Sequence, residues 1–284
     1  MQRIATVSLT AVVCVSALSG CSSDDTDSNT SDSSSTQDTA LGHVHGLGVD
    51  PADGTLYVAS HVGVFRVQDG APERVADRWQ DTMGFAVVGP GHFLGSGHPD
   101  PQEDLPASLG LIESIDGAET WRAVSMQGDA DLHAIESVGD RIYAYDSQTG
   151  ALMVTTDRTD WDTISTQPLY DLAANPDDPT TVYATTDRGV LVASVDGEPP
   201  VPVAGAPTLT AIDWQPDGPL VGVAPDGTVY TSSDEDTWTE SGALDGVAEA
   251  LEAAPGRWHA ATGTGVYEST DEGDTWTAVL TMGG

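Results

Sequence analysis

The 284-residue chain contains no lysine, and its nine basic residues are all arginine. Against them stand 45 aspartates and glutamates, for a formal net charge of −36 and a pI near 4.1. This excludes nucleic acid as a partner, because phosphate binding needs a basic face. The same repulsion excludes electrostatic attachment to anionic lipid headgroups. Only two cysteines occur, Cys14 and Cys21, so no disulfide can staple the remainder and any fold must stand on its core alone. What the sequence has in quantity is turn formers, 31 Gly and 17 Pro beside 39% hydrophobic residues, which suits an all-β protein with many tight turns. So acidic a surface also favours solubility at high salt.

Residues 1–20 read as an export signal: Arg3, the apolar run IATVSLTAVVCVSAL, then small residues. The run is too short, and too soon followed by polar residues, for a spanning helix. It ends in Leu18-Ser19-Gly20-Cys21, which resembles the bacterial lipoprotein signal, in which the cysteine is lipidated and becomes the first mature residue. Cys14 falls inside the signal, leaving Cys21 as the expected lipid anchor to the membrane. Residues 21–40 continue as Ser, Thr and Asp with almost nothing apolar, a composition that cannot offset its own ordering entropy and reads as a disordered tether.

From Leu41 onward a pattern returns six times, roughly every 41 residues, the period of a propeller blade. Its clearest parts are paired short strands rich in β-branched residues: LYVASHVGVFRV (56–67), FLGSGHP with an insertion and then LGLIES (93–114), IYAYDSQTGALMVT (142–155), VYATTDRGVLVAS (182–194), LVGVAPDGTVYTS (220–232) and WHAATGTGVYES (258–269). First strands are expected near His45, Met83, His133, Tyr170, Thr210 and Glu249. The fold class is therefore a six-bladed β-propeller of four-stranded antiparallel blades over residues 41–284. A two-sheet sandwich would show no such period. No swapped strand from residues 32–42 is visible to close the ring.

The turn between third and fourth strands carries a second signature. Ser269-Thr270-Asp271-Glu272-Gly273-Asp274-Thr275-Trp276 matches the Asp box S-x-D-x-G-x-T-W throughout, and residues 114–121, with Asp116 and Trp121, match except for Ala118 in place of Gly. TSSDEDTW (231–238), with Asp234 and Trp238, and TTDRTDW (155–161) are each one residue short. The expected chemistry is structural: Asp accepts backbone N–H groups across the turn, Gly allows positive φ, and Trp packs between sheets.

On these repeats, and on HVHGLG (43–48), MGF (83–85), SGHP (96–99) and SLGLIESIDGAETW (108–121), residues 41–284 resemble the bacterial sialidase-like BNR/Asp-box propellers. Within that group they are similar to exported lipoproteins often labelled glycosyl hydrolases. The resemblance implies an exo-sialidase or related glycosidase, with three arginines clamping a substrate carboxylate and a Tyr–Glu pair as nucleophile. The residues argue against a true sialidase. By the repeat register only Arg188 sits in a mouth loop; Arg66 is in a third strand, Arg74, Arg78 and Arg122 are in or near outer strands, and Arg141, Arg158 and Arg257 are in turns on the opposite face. The Arg-Ile-Pro motif is absent. For a general glycosidase the weak carboxylate candidates are Glu249 and Asp171.

The histidines do converge. His43 and His45 enter the first strand of blade one, and a His-x-His strand places both rings on one face. His61 and His98 occupy matching second-to-third loops, and His133 takes in blade three the place that His45 has in blade one and Met83 in blade two. These six residues are the candidate ligand site. Imidazoles suit zinc or copper, and a thioether leans toward copper; the alternative is a polar rim with Met83 plugging the channel. His92 and His259 fall elsewhere. Gly46, Gly48, Gly84, Gly95 and Gly97 surround the site and serve either close ligand approach or strand crowding at the axis. The expected function is a lipid-anchored extracytoplasmic binding or accessory protein, with envelope proteins or glycans as partners. The alternatives are a glycoside hydrolase and a protein-interaction platform.

Overall fold

The computed structural model describes residues 41–282. Residues 1–40, with the expected export signal, Cys21 and the expected tether, lie outside the described residues. Six four-stranded antiparallel sheets follow one another along the chain, each built from consecutive strands. Blade one is β1 (Val44–Val49), β2 (Leu56–Ser60), β3 (Gly63–Gln68) and β4 (Ala71–Arg74). Blade two is β5 (Asp81–Gly89), β6 (His92–His98), β7 (Leu111–Ser114) and β8 (Arg122–Ser125). Blade three is β9 (Leu132–Val138), β10 (Arg141–Asp146), β11 (Ala151–Thr155) and β12 (Asp162–Thr166). Blade four is β13 (Leu172–Ala174), β14 (Thr181–Thr186), β15 (Gly189–Ser194) and β16 (Val201–Pro202). Blade five is β17 (Ala211–Trp214), β18 (Leu220–Val223), β19 (Thr228–Ser232) and β20 (Thr239–Ala243). Blade six is β21 (Ala248–Ala254), β22 (Arg257–Thr262), β23 (Gly265–Ser269) and β24 (Thr277–Thr281). First strands pack in a closed circle, β1 on β5, β5 on β9, β9 on β13, β13 on β17, β17 on β21 and β21 back on β1. The chain is a six-bladed β-propeller, as its period requires.

The core is six wedges, one between each pair of blades. Phe85, Phe93 and Ala118 of blade two meet Tyr57, Ala59 and Val64 of blade one; Val221, Val223 and Val229 of blade five meet Trp258 and Ala260 of blade six. Each sheet is thus covered on both faces, so its inner strands are continuous apolar runs instead of alternating ones. Leu56–Ser60 is buried at every residue, while the fourth strands are largely exposed.

Ring closure uses no exchanged strand among the described residues. Leu41, Val44, Leu47 and Phe65 of blade one pack directly on Ala250, Ala261, Val266 and Leu280 of blade six. The same seam is tied by the Val44 N–H, which donates to Glu249 Oε2 at 3.0 Å.

The Asp-box turns are bonded as their sequence demands. Asp271 Oδ1 accepts the Ser269 hydroxyl at 2.8 Å and the Thr275 N–H at 2.9 Å, and Oδ2 accepts the Thr275 hydroxyl at 2.6 Å. Asp116 makes the same three bonds to Ser114 and Thr120, and Ala118 takes the glycine's left-handed conformation at φ +70°. In the shorter turn Asp234 reaches the Thr237 N–H, three residues on instead of four, at 2.7 Å. Trp121 and Trp238 pack at blade interfaces, and the Trp276 indole N–H donates to Gly273 O at 3.0 Å. Asp271→Ala removes all three hydrogen bonds; thermal unfolding is expected to show a loss of about 1–3 kcal/mol, the usual scale for orphaned donors, with the fold retained.

Candidate functional site

The first strands enclose a channel of about 870 Å³ along the ring axis. Its mouth end is lined by His45, His133, Asp171, Thr210 and Glu249, its middle by Glu136, Asp213 and Glu252, and its far end by Asp50, Gly89, Gln215 and Arg257.

Local backbone irregularity presents the mouth residues. In the pairing of β1 with β2, Val44 lies opposite Ser60 and Gly46 opposite Ala59, so His45 is the extra residue of a β-bulge. Met83, His133 and Glu249 are the extra residues of equivalent bulges in blades two, three and six. A bulge bends the strand and re-aims the inserted side chain, which is why bulges recur beside functional sites.

The structure divides the six ligand candidates into two groups. In the first, His45 Nε2 lies 3.1 Å from His61 Nδ1, which lies 3.0 Å from Asp81 Oδ1; His45 Nε2 and Asp81 Oδ1 are 3.9 Å apart. The His43 ring sits 4.8 Å from His45 and 5.8 Å from His61, with its Nδ1 paired to Glu249 Oε1 at 3.0 Å. In the second group, His133 Nε2 lies 2.9 Å and His98 Nε2 3.9 Å from Asp131 Oδ2. Met83, the bulge residue of blade two, makes no hydrogen bond to either group among the described residues. The short contacts thus fall into two sets, each centred on an aspartate, and His133 and Asp131 of the second still act electrostatically on His45 of the first.

Burial is the main cause that drives the His45 pKa down to about 3, followed by the imidazoles of His61, His43 and His133, with Asp131 opposing. His45 is thus a neutral imidazole, and its Nε2 shares a hydrogen bond with His61 Nδ1. Three donor atoms on a triangle of 3.0, 3.1 and 3.9 Å bracket the roughly 3.3–3.6 Å that separates ligands of a tetrahedral ion with bonds of about 2.0–2.2 Å.

The carboxylates named for glycosidase chemistry line the channel, but both hold the ring together. Glu249 is engaged by the Val44 N–H and His43. Asp171 accepts the Leu172 N–H at 2.9 Å and, across the blade boundary, the Ile212 N–H at 3.0 Å. Asp213 likewise takes the Ala253 N–H of the next blade at 2.5 Å. A first strand is the inner edge of its sheet, so its outward N–H groups need such acceptors. Burial raises the pKa of all three mid-channel acids and of Asp171, which reaches about 7; Asp213 and Asp171 push Glu136 higher still.

The arginine placement needs one correction. Arg74 and Arg78 also reach the mouth end, because β4 returns the chain there: Arg74 donates to Val62 O at 2.9 Å and stacks 3.4 Å from the Trp79 ring centre, and Arg78 pairs with Glu103 at 2.7 Å. Neither lines the channel; the arginine that does, Arg257, is at the far end. Away from the mouth, His92 pairs with Glu113 at 2.7 Å and His259 with Glu268 at 3.2 Å.

Asp81 and Asp131 were not singled out by sequence reasoning, yet each stands two residues before a bulge position, as His43 does. The period-two rule that joined His43 to His45 applies equally to Asp81 and Met83 and to Asp131 and His133.

No protein-family model matches the chain, and no curated protein matches it. Solved structures do. A gluconolactonase from Xanthomonas campestris aligns with a TM-score of 0.66 at 16% identity over 81% of this chain and 86% of its own. Virginiamycin B lyase from Staphylococcus aureus aligns with 0.56 at 11% identity over 85% and 84%. A chain of a nidogen/laminin complex aligns with 0.58 at 12% identity over 75% and 88%. At such identities the likeness is one of fold, and the fold shared is the β-propeller.

Proposed function

We propose that this chain is a lipid-anchored, extracytoplasmic binding or accessory propeller that holds a divalent transition metal, zinc in preference to copper, at its mouth through His45, His61 and Asp81. The observation that carries the reading is the convergence of two imidazole nitrogens and a carboxylate oxygen within 3.9 Å of one another, His45 being a neutral ring and its hydrogen-bonded partner His61 giving up a ring hydrogen to the metal. Nitrogen and carboxylate ligands without a thioether suit zinc. Three protein ligands leave one coordination position open, where a water or a partner's donor atom completes the shell. The Asp-box turns support kinship with the sialidase-like propellers, but the carboxylates first named for glycoside chemistry, Glu249 and Asp171, are engaged by backbone N–H groups, and the arginine that lines the channel, Arg257, is at the end away from the histidines.

Metal-free protein without a histidine tag, titrated with zinc by calorimetry, tests the site. Zinc binding is expected, weakened by an order of magnitude or more in His45→Ala and Asp81→Ala and unchanged in His92→Ala. No uptake, or uptake indifferent to His45→Ala and Asp81→Ala, would overturn the reading. The anchor is tested separately: labelled fatty acid incorporated by the wild type should be lost in Cys21→Ser.

A further inference from the structure

Inside the axial channel, four successive blades each bring a carboxylate to the wall: Glu136 of blade three, Asp171 of blade four, Asp213 of blade five and Glu252 of blade six. Glu136 and Glu252 stand three residues after the bulge residues His133 and Glu249, and Asp213 stands three after Thr210, so these three share one level. Blades one and two place Gly48 and Ala86 there, so no cationic side chain answers the acids. The other titratable lining groups are His45, His133, Tyr170 and Glu249 toward the mouth and Asp50, Asp53 and Arg257 at the far end. Arg257 is paired with Glu268 at 3.3 Å.

Carboxylates are plentiful in this chain, and a group of them marks no site by itself. Glu136 sets this group apart. Asp171 takes the Leu172 and Ile212 N–H groups, Asp213 takes those of Trp214 and Ala253, and Glu252 is reached by the Val49 N–H. The Glu136 carboxylate faces Asp171, Asp213 and Glu252 across the channel and makes no hydrogen bond with any described residue. A carboxylate drawn inside the protein without a donor carries a desolvation cost and calls for an explanation.

Spacing decides what kind of cation answers it. Among the described residues only His45, His61 and Asp81 bring three donor atoms close enough for one ion, so the channel acids stand too far apart to coordinate a bare metal. They suit a cation that is itself extended and carries N–H donors at several points, since charge-assisted N–H bonds to carboxylates are the strong ones. Val49, Ala86 and Tyr170 give the same wall apolar surface for methylene groups. The channel volume of about 870 Å³ lies within the roughly 300–1,000 Å³ of small-molecule sites.

We propose that the axial channel binds a linear aliphatic polyamine through Glu136, Asp213 and Glu252, entering from the mouth because Arg257 stands at the other end. The site shares no residue with the His45–His61–Asp81 triangle and does not depend on it. Burial holds these acids above the ordinary carboxylate range, so an amine that favours their ionised form displaces protons as it binds. An amine gathered on exposed carboxylates, already ionised, displaces none.

Calorimetric titration of zinc-free, full-length protein with spermidine tests this at about pH 6.5, in two buffers of different ionisation enthalpy and ~0.15 M salt, which confines surface charge to roughly 8 Å. One saturable equivalent with proton release is expected. Its affinity should fall tenfold or more in Glu136→Gln and in Glu252→Gln, which keep the side-chain shape, and should be unchanged in Asp77→Asn, where the side chain is 92% exposed. Circular dichroism of both glutamine variants should match the wild type. Unsaturable binding without proton release, or affinity indifferent to both glutamine changes in folded protein, would overturn the proposal. Tighter binding of a trilysine peptide than of spermidine, lost in the same variants, would overturn the ligand class and assign the channel to a protein segment.

Discussion

Raising the pH from about 5 to about 8 is expected to lower the melting temperature by roughly 5–10 °C, although most acidic proteins have finished ionising well below that range. The reason is the channel. Asp171 titrates near 7 in the folded protein against an ordinary value of 3.8, and Glu136, Asp213 and Glu252 are raised as well, burial being the first cause for each. In this window the folded state keeps protons that the unfolded chain has released. The stability these groups contribute is therefore complete below about pH 4 and is lost as pH rises through the folded values. One pKa unit corresponds to about 1.4 kcal/mol, so Asp171 alone is worth a few kcal/mol. The turn aspartates act in the opposite sense and lower down. Asp157 is pulled to about 2 by the Asp160 and Thr159 N–H groups, and Asp116 and Asp271 are lowered by bonds from Thr120 and Thr275. Their contribution is present above about pH 4 and is lost as pH falls toward 2, which places maximum stability near pH 4–5. Repulsion within a net charge of −36 also grows with pH, but salt at about 1 M confines it to roughly 3 Å. The slope that survives high salt belongs to the channel. Glu136→Gln should flatten part of that slope, and a melting temperature that is level or rising from pH 5 to 8 would show that these acids are not held protonated.

The fold was legible because a propeller writes its period into the chain. First strands fall where the repeat places them, at His45, Met83, His133 and Glu249, and even the shortened Asp-box at Asp234 bonds one residue earlier, as its spacing implies. The mouth was legible to the level of the blade, since His61 and His98 do sit in matching loops beside His45 and His133. Its division into two clusters was not. The repeat register fixes radial position, but the partners are chosen by bulges and by individual side-chain directions, which a period of about forty residues does not encode. Arg74 and Arg78 show the same limit: they lie beside an outer strand in sequence, while the strand's direction returns them to the mouth.

Phe65→Ala is expected to cost about 3–5 kcal/mol, the usual range for emptying a buried aromatic site, and to do so in a characteristic place. Phe65 is 2% exposed and packs among Leu41, Val44 and Leu47 of its own blade and Val266 and Leu280 of blade six. At every other blade boundary the chain itself continues from one sheet to the next. At this boundary alone, among the described residues, the two sheets come from opposite ends of the repeat array and no chain segment runs from one to the next. Only apolar packing and acceptors such as Glu249 hold them. A cavity here therefore weakens the contact that closes the circle, and opening it exposes the facing sides of blades one and six together. Hydrogen exchange should accelerate in β1–β4 and in β21–β24 at once, ahead of global unfolding. Leu172→Ala provides the contrast: Leu172 is fully buried between blades three and four, its loss costs about 2–5 kcal/mol, and its effect should remain on that side of the ring. Exchange in Phe65→Ala that quickens in blade one while blade six stays protected would mean that the seam is no weaker than its neighbours, and that hydrogen bonds such as Val44 N–H to Glu249 carry the closure.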